Sequence, residues 1–133
     1  MRRPWLIPVA LMGLWGSCFC SNKLSGTVEI NGEKVGWSSC RNGAVYGFRG
    51  VEVSGSNGMR LRLGLTPTGE MGVIVFDKGA TVGKELGIVC GSLTVNDQSS
   101  TVNDVKNVSG KAVLDCEAQG YKLKGDINFE NCH

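Results

Sequence analysis

Most extended runs in this chain are short and end at a glycine-bearing turn, and that punctuation constrains the fold more than any other feature. Twenty of the 133 residues are glycine and only three are proline, so the turns are made by residues that reach positive φ. Between them lie runs rich in Val, Ile, Leu and Thr, and after residue 20 no segment sustains apolar residues at helical spacing. The pattern predicts an all-β chain, a single antiparallel sandwich or barrel of roughly eight to ten short strands.

Leu24 to Ile30 alternates apolar with polar and runs into Asn31-Gly32, the strongest short hairpin signal. The return strand is expected from Glu33 to about Ser39, with a turn at Arg41-Asn42-Gly43. Ala44 to Val53, interrupted by Gly47 and Gly50, reads as one bent strand or two short ones. Met59, Leu61, Leu63 and Leu65 alternate with Arg60 and Arg62, which puts one face in the core and one in water. Gly72 to Phe76 is continuously apolar and reads as a central strand, and Thr81 to Val95 supplies one or two more around Cys90. The polar stretch Asn96 to Asn107 reads as a loop with a short strand near Val102 to Val105. Gly110 to Cys116 returns through Tyr121 to Phe129 around Gln119-Gly120. Setting Cys116 opposite Leu123 gives that hairpin one apolar face, shared by Ala112, Leu114, Ile127 and Phe129.

Ahead of these strands, Arg2 and Arg3 precede the apolar stretch Trp5 to Trp15, which leads into Gly16-Ser17-Cys18-Phe19-Cys20. A positive start, a compact apolar centre and a small-residue exit make a secretory signal. The stretch is shorter than the ~20 apolar residues of a spanning helix. Residues 1–20 are therefore read as a signal peptide and residues 21–133 as one β domain. Leu14-Trp15-Gly16-Ser17-Cys18 resembles a bacterial lipoprotein signal ending at residue 17, in which the cysteine is acylated and becomes N-terminal. Gly16 and Ser17 fit that pattern and Trp15 departs from it, so plain cleavage after Cys18 or Cys20 is the alternative. Arg2 and Arg3 account for the whole excess of 14 basic over 12 acidic residues. The exported body is neutral and lacks the basic stripe of a nucleic-acid binder.

An exported chain meets oxidising conditions, so Cys40, Cys90, Cys116 and Cys132 are expected in disulfides. With Cys116 opposite Leu123, Cys132 lies about 30 Å further along the strand, beyond the ~7 Å that a disulfide spans. Two connectivities remain: Cys40–Cys132 with Cys90–Cys116, and Cys40–Cys116 with Cys90–Cys132. The first is preferred, because it ties an early strand to the C-terminus and removes a frayed end. No C-x2-C spacing points to zinc.

Catalytic chemistry finds little support. The one histidine, His133, is the last residue, and no phosphate-binding glycine loop is present. No enzyme, cofactor or metal is expected. Asp97 and Asp104 lack the acidic spacing of an EF-hand and read as part of a polar loop. Trp37, Tyr46 and Phe48 lie close enough in sequence to form an aromatic platform for a sugar or peptide, although such rings more often fill a core. Arg49, Arg60 and Arg62 can form a basic strip on one sheet face, against the plainer reading of a solvated face with cross-strand partners. Asn107-Val108-Ser109 is a glycosylation sequon, meaningful in a eukaryotic host.

Leu24 to Gly32, Met59-Arg60-Leu61-Arg62-Leu63, Cys90 to Val95 and Phe129 to His133 together resemble uncharacterised small exported proteins and lipoproteins of bacteria, of the kind common in myxobacteria. Tyr121 to Gly125 and the final Cys132 carry a fainter likeness to small mycobacterial surface lipoprotein antigens, which implies a β domain with an early-to-late disulfide. Neither resemblance implies an activity. The expected function is that of an exported binding or structural module, lipid-anchored where Cys18 is acylated, in the periplasm, at the outer membrane or secreted. Its partner would be an envelope protein or glycan, with no nucleic acid and with membrane contact only through the anchor. The alternative is a periplasmic or secreted enzyme inhibitor, similar to lysozyme inhibitors.

Overall fold

Period-two alternation sorts each run into an apolar and a polar face, and two sheets close over the apolar faces. The computed structural model describes residues 21–133; the expected signal peptide, residues 1–20, and with it Cys18, lies outside them. The first strands are β1 (Lys23–Ser25), β2 (Val28–Ile30), β3 (Glu33–Val35) and β4 (Trp37–Asn42). A 3-10 turn over Gly43–Tyr46 leads to β5 (Gly50–Gly55), β6 (Arg60–Leu65), β7 (Met71–Phe76) and β8 (Lys84–Gly87). Three long strands finish the chain: β9 (Gly91–Val102), β10 (Val105–Ala118) and β11 (Tyr121–Cys132).

One sheet has the order β3-β2-β11-β10-β9, with β1 also on β11, and the other has the order β4-β5-β6-β7-β8. The sheets do not close into a barrel, so the sandwich is the form adopted. The hairpin turns fall where expected. Asn31-Gly32 and Gln119-Gly120 both take positive φ, and Cys116 stands opposite Leu123.

Four expectations are corrected. Leu24 to Ile30 is two strand segments, because Gly26 has φ +88°, yet both segments hold one register on β11. The return strand from Glu33 does not continue to Ser39 in one sheet. At Gly36 the chain leaves β3 and enters the opposite sheet as β4, so one run serves both layers. Residues 44–46 are a 3-10 turn, not strand: the Asn42 side chain accepts a hydrogen bond from Ala44 N, and Gly47 closes the turn at φ +88°. Asn96 to Asn107 is not a loop. It is the far half of a β9–β10 ribbon that reverses at Asn103 and Asp104, both at positive φ. Backbone pairing needs no apolar face, and composition alone conceals such a ribbon.

Val28, Leu114, Leu123 and Ile127 from one sheet meet Val51, Leu61, Leu63, Met71 and Val73 from the other in a single buried cluster. Cys40–Cys132 and Cys90–Cys116 are the disulfides, with Cα separations of 5.2 and 4.5 Å. The first joins β4 to β11 across the layers. Such bridges belong to an oxidising, extracytoplasmic environment. Among the described residues no helix is long and apolar enough to cross a membrane.

Candidate functional site

The outer face of the five-stranded sheet is built by the residues that alternate with its core positions. Cross-strand register arranges them in rows. Gly50, Gly64 and Gly72 form one row. Glu52, Arg62, Ile74 and Glu85 form the next, and Ser54, Arg60 and Phe76 the third.

Glu52 is only 4% exposed, which for a carboxylate demands partners. Its Oε2 accepts from Arg62 Nε at 2.7 Å and from Arg60 Nη1 at 3.5 Å, and its Oε1 accepts from the Tyr46 hydroxyl at 3.3 Å. The Arg62 guanidinium lies 4.3 Å from the Tyr46 ring centroid and 4.9 Å from that of Phe76. Arg60 lies 4.3 Å from Phe76 and donates to the Ala80 carbonyl. The guanidinium of Arg62 is thus locked by one carboxylate and two rings. Only its Nε is used: among the described residues none accepts from its Nη1 or Nη2.

Beside this cluster runs a trough of about 280 Å³, lined by Phe48, Arg62, Gly64, Gly72, Ile74, Glu85 and Ile88. Phe48 reaches it because Gly43 and Gly64 leave room for its ring. A second hollow, of about 500 Å³, along Arg60, Phe76, Val82 and Glu85 shares Arg62, Ile74 and Glu85 with the trough. Around β8, Val82 and Val89 are 81% and 70% exposed, and Ile88 is also exposed. Apolar surface in a groove with a few positioned polar groups is the usual makeup of a ligand site.

The residues singled out in the sequence are only partly brought together. Tyr46 and Phe48 stack, with ring centroids 6.4 Å apart. Trp37, at the far end of β4, packs against the core instead, so no three-ring platform exists. Arg60 and Arg62 share Glu52, whereas Arg49 turns to the other sheet, meeting Asp97 Oδ1 at 2.6 Å and the Val95 carbonyl. The basic strip is therefore a pair of arginines plus a separate inter-sheet brace. The Arg49 hydrogen bond holds the Asp97 carboxyl below its ordinary value.

His133 Nδ1 lies 3.2 Å from the Asn131 carbonyl, in a hollow of about 460 Å³ shared with Asn22, Arg41 and Asn103. Asn107 is 1% exposed and its amide donates to Ser100 Oγ at 2.7 Å, so the sequon nitrogen is enclosed in the folded chain. No group of three or more His, Cys, Asp or Glu side chains arranged to hold a metal occurs among the described residues. Glu52, Gly72, Ile74, Glu85 and Ile88 were not singled out from the sequence. Glu52 was within reach, because the turn at Ser56 to Gly58 sets β5 on β6 and places Glu52 opposite Arg62. No family model, curated protein or solved structure matches this chain.

Proposed function

We propose that this chain is an exported binding module of the cell envelope, anchored through an acylated Cys18, with no catalytic role. Its binding face is the outer surface of the five-stranded sheet. One observation carries the reading: an apolar trough stands open beside an arginine whose position is fixed and whose outer nitrogens are unused. The opposite sheet instead offers alternating charges, with Lys111 near Asp126 and Lys23 near Glu130 at its surface. That is the makeup of a solvated face.

The anchor fits the start of the body. Asn22 accepts from Cys40 N and donates to the Asn131 carbonyl, so an acylated Cys18 would leave a tether of at most about 14 Å. Such a module stays at the membrane surface and presents its sheet face to the surrounding space. Intact mass of the exported protein tests the anchor: loss of residues 1–17 with added acyl mass supports it, and an unmodified N-terminus beyond Cys20 refutes it. For the face, pull-down from envelope extracts compares the wild type with Gly72→Val, which fills the trough. Capture that the substitution abolishes supports the assignment, and equal capture places the binding elsewhere.

A second reading, enzyme inhibition, draws on the β9–β10 ribbon, whose exposed tip Asn103-Asp104 is a polar turn of the kind inhibitors present. Inhibition of lysozyme that is lost on replacing the tip with Gly-Gly would favour it.

A further inference from the structure

Gly72 is the key to what the trough holds. Glycine in mid-strand weakens a sheet, and it often marks a place where a ligand approaches the backbone. The other strand glycines have structural reasons. Gly50, Gly87, Gly91 and Gly125 take positive φ, and a Cβ at Gly55, Gly64 or Gly110 would crowd its neighbours. At Gly72 φ is ordinary, and a Cβ would meet only the Gly64 carbonyl, at a comfortable 3.8 Å. Nothing in the fold requires glycine there, and its missing side chain is what opens the trough.

Building on the binding face proposed above, we infer that the trough receives the C-terminal end of a peptide: an aliphatic last side chain over Gly72, with the terminal carboxylate on Arg62. The lining is apolar at Phe48, Ile74 and Ile88, which suits a Leu- or Val-sized group. Arg62 lies one row from Gly72 in the cross-strand register, and its side chain lines the same trough. The unused Nη1 and Nη2 form a planar fork that matches a carboxylate. Glu85 lines the same trough and opposes a doubly charged phosphate, while it can accept from the peptide N–H. An internal Asp or Glu fits less well, because its neighbours' side chains point to the other face of an extended chain.

The test titrates isotope-labelled, disulfide-bonded protein with acetyl-Gly-Gly-Leu bearing a free carboxylate, with the same peptide amidated, and with octanoate. The free acid should shift the Gly64, Gly72 and Ile88 amides saturably, and amidation should weaken binding about tenfold or more. Gly72→Val should abolish the shifts while the melting temperature stays equal or rises; if that variant misfolds, Gly72→Ala should weaken binding and remain folded. Equal binding of acid and amide, or of octanoate and peptide, overturns the inference. Absence of peptide binding also overturns it, and the binding face itself then stands or falls on whether capture from envelope extracts depends on Gly72. Unaltered peptide binding by Gly72→Val would remove both the ligand and the face.

Discussion

Glu52 shows how one buried charge organises a surface. Two arginines and a tyrosine hydroxyl compensate it, and it fixes the guanidinium that the proposed binding face presents. Removing Arg62 leaves the carboxylate with only the longer Arg60 contact and the Tyr46 hydroxyl, so Arg62→Ala should cost about 3 kcal/mol. Glu52→Gln frees arginines that are already partly in water and should cost about 1–2 kcal/mol. Urea unfolding of both variants checks that order. Tyr121 is the second informative residue. Its hydroxyl donates to Asp77 at 2.7 Å, bracing the turn after β7 against the opposite sheet. That bond to Asp77, then burial, pushes the phenol up to about 12. The neutral phenol is the form the fold favours, so its contribution is whole below the ordinary tyrosine value of about 10 and fades as pH rises towards 12. Wild-type stability should fall through that window, and Tyr121→Phe should flatten the fall while lowering stability at neutral pH.

At the scale of elements, the strands that alternate apolar with polar were legible, and those that do not were hidden. Met59 to Leu65 and the Gly110 to Phe129 hairpin follow directly from period two and turn chemistry. The β9–β10 ribbon did not show, because its outer half is polar on both sides and resembles loop composition. The crossover at Gly36 was hidden for another reason: a strand can change sheets without changing its sequence pattern. The trough was hidden too, since Gly72 and Ile74 read as core when the register of β8 is unknown. The ribbon has a sensitive point at Gly110, where a Cβ would run into the Thr94 carbonyl. Gly110→Ala should therefore loosen the β9–β10 register, seen as faster amide exchange along Gly91 to Val95, whereas Gly120→Asn, strained only by its φ of +84° and not by crowding, should disturb that register less.

Over the whole molecule, two thin layers share one core; the Cys40–Cys132 disulfide ties the layers together, and Cys90–Cys116 ties the entry of β9 to β10. Cys40–Cys132 closes a separation of 92 residues and Cys90–Cys116 one of 26. Loop closure assigns about 4–5 kcal/mol to the first and about 3–4 to the second. Replacing Cys40 and Cys132 together by Ala should accordingly lower the melting temperature more than replacing Cys90 and Cys116. The preferred connectivity followed from one register, Cys116 opposite Leu123, together with the benefit of tying down the C-terminus. The proposed binding face followed from the sequence only in part: Tyr46, Phe48, Arg60 and Arg62 were singled out there, whereas Gly72, Ile74, Glu85 and Ile88 were not, because their place depends on how β7 and β8 pair. Which surface faces a partner is the central question, and one comparison addresses it most directly: melting temperature and envelope-partner capture measured side by side for the wild type and Gly72→Val. Lost capture with an equal or higher melting temperature is expected. Undiminished capture by a fully folded Gly72→Val protein would contradict the account.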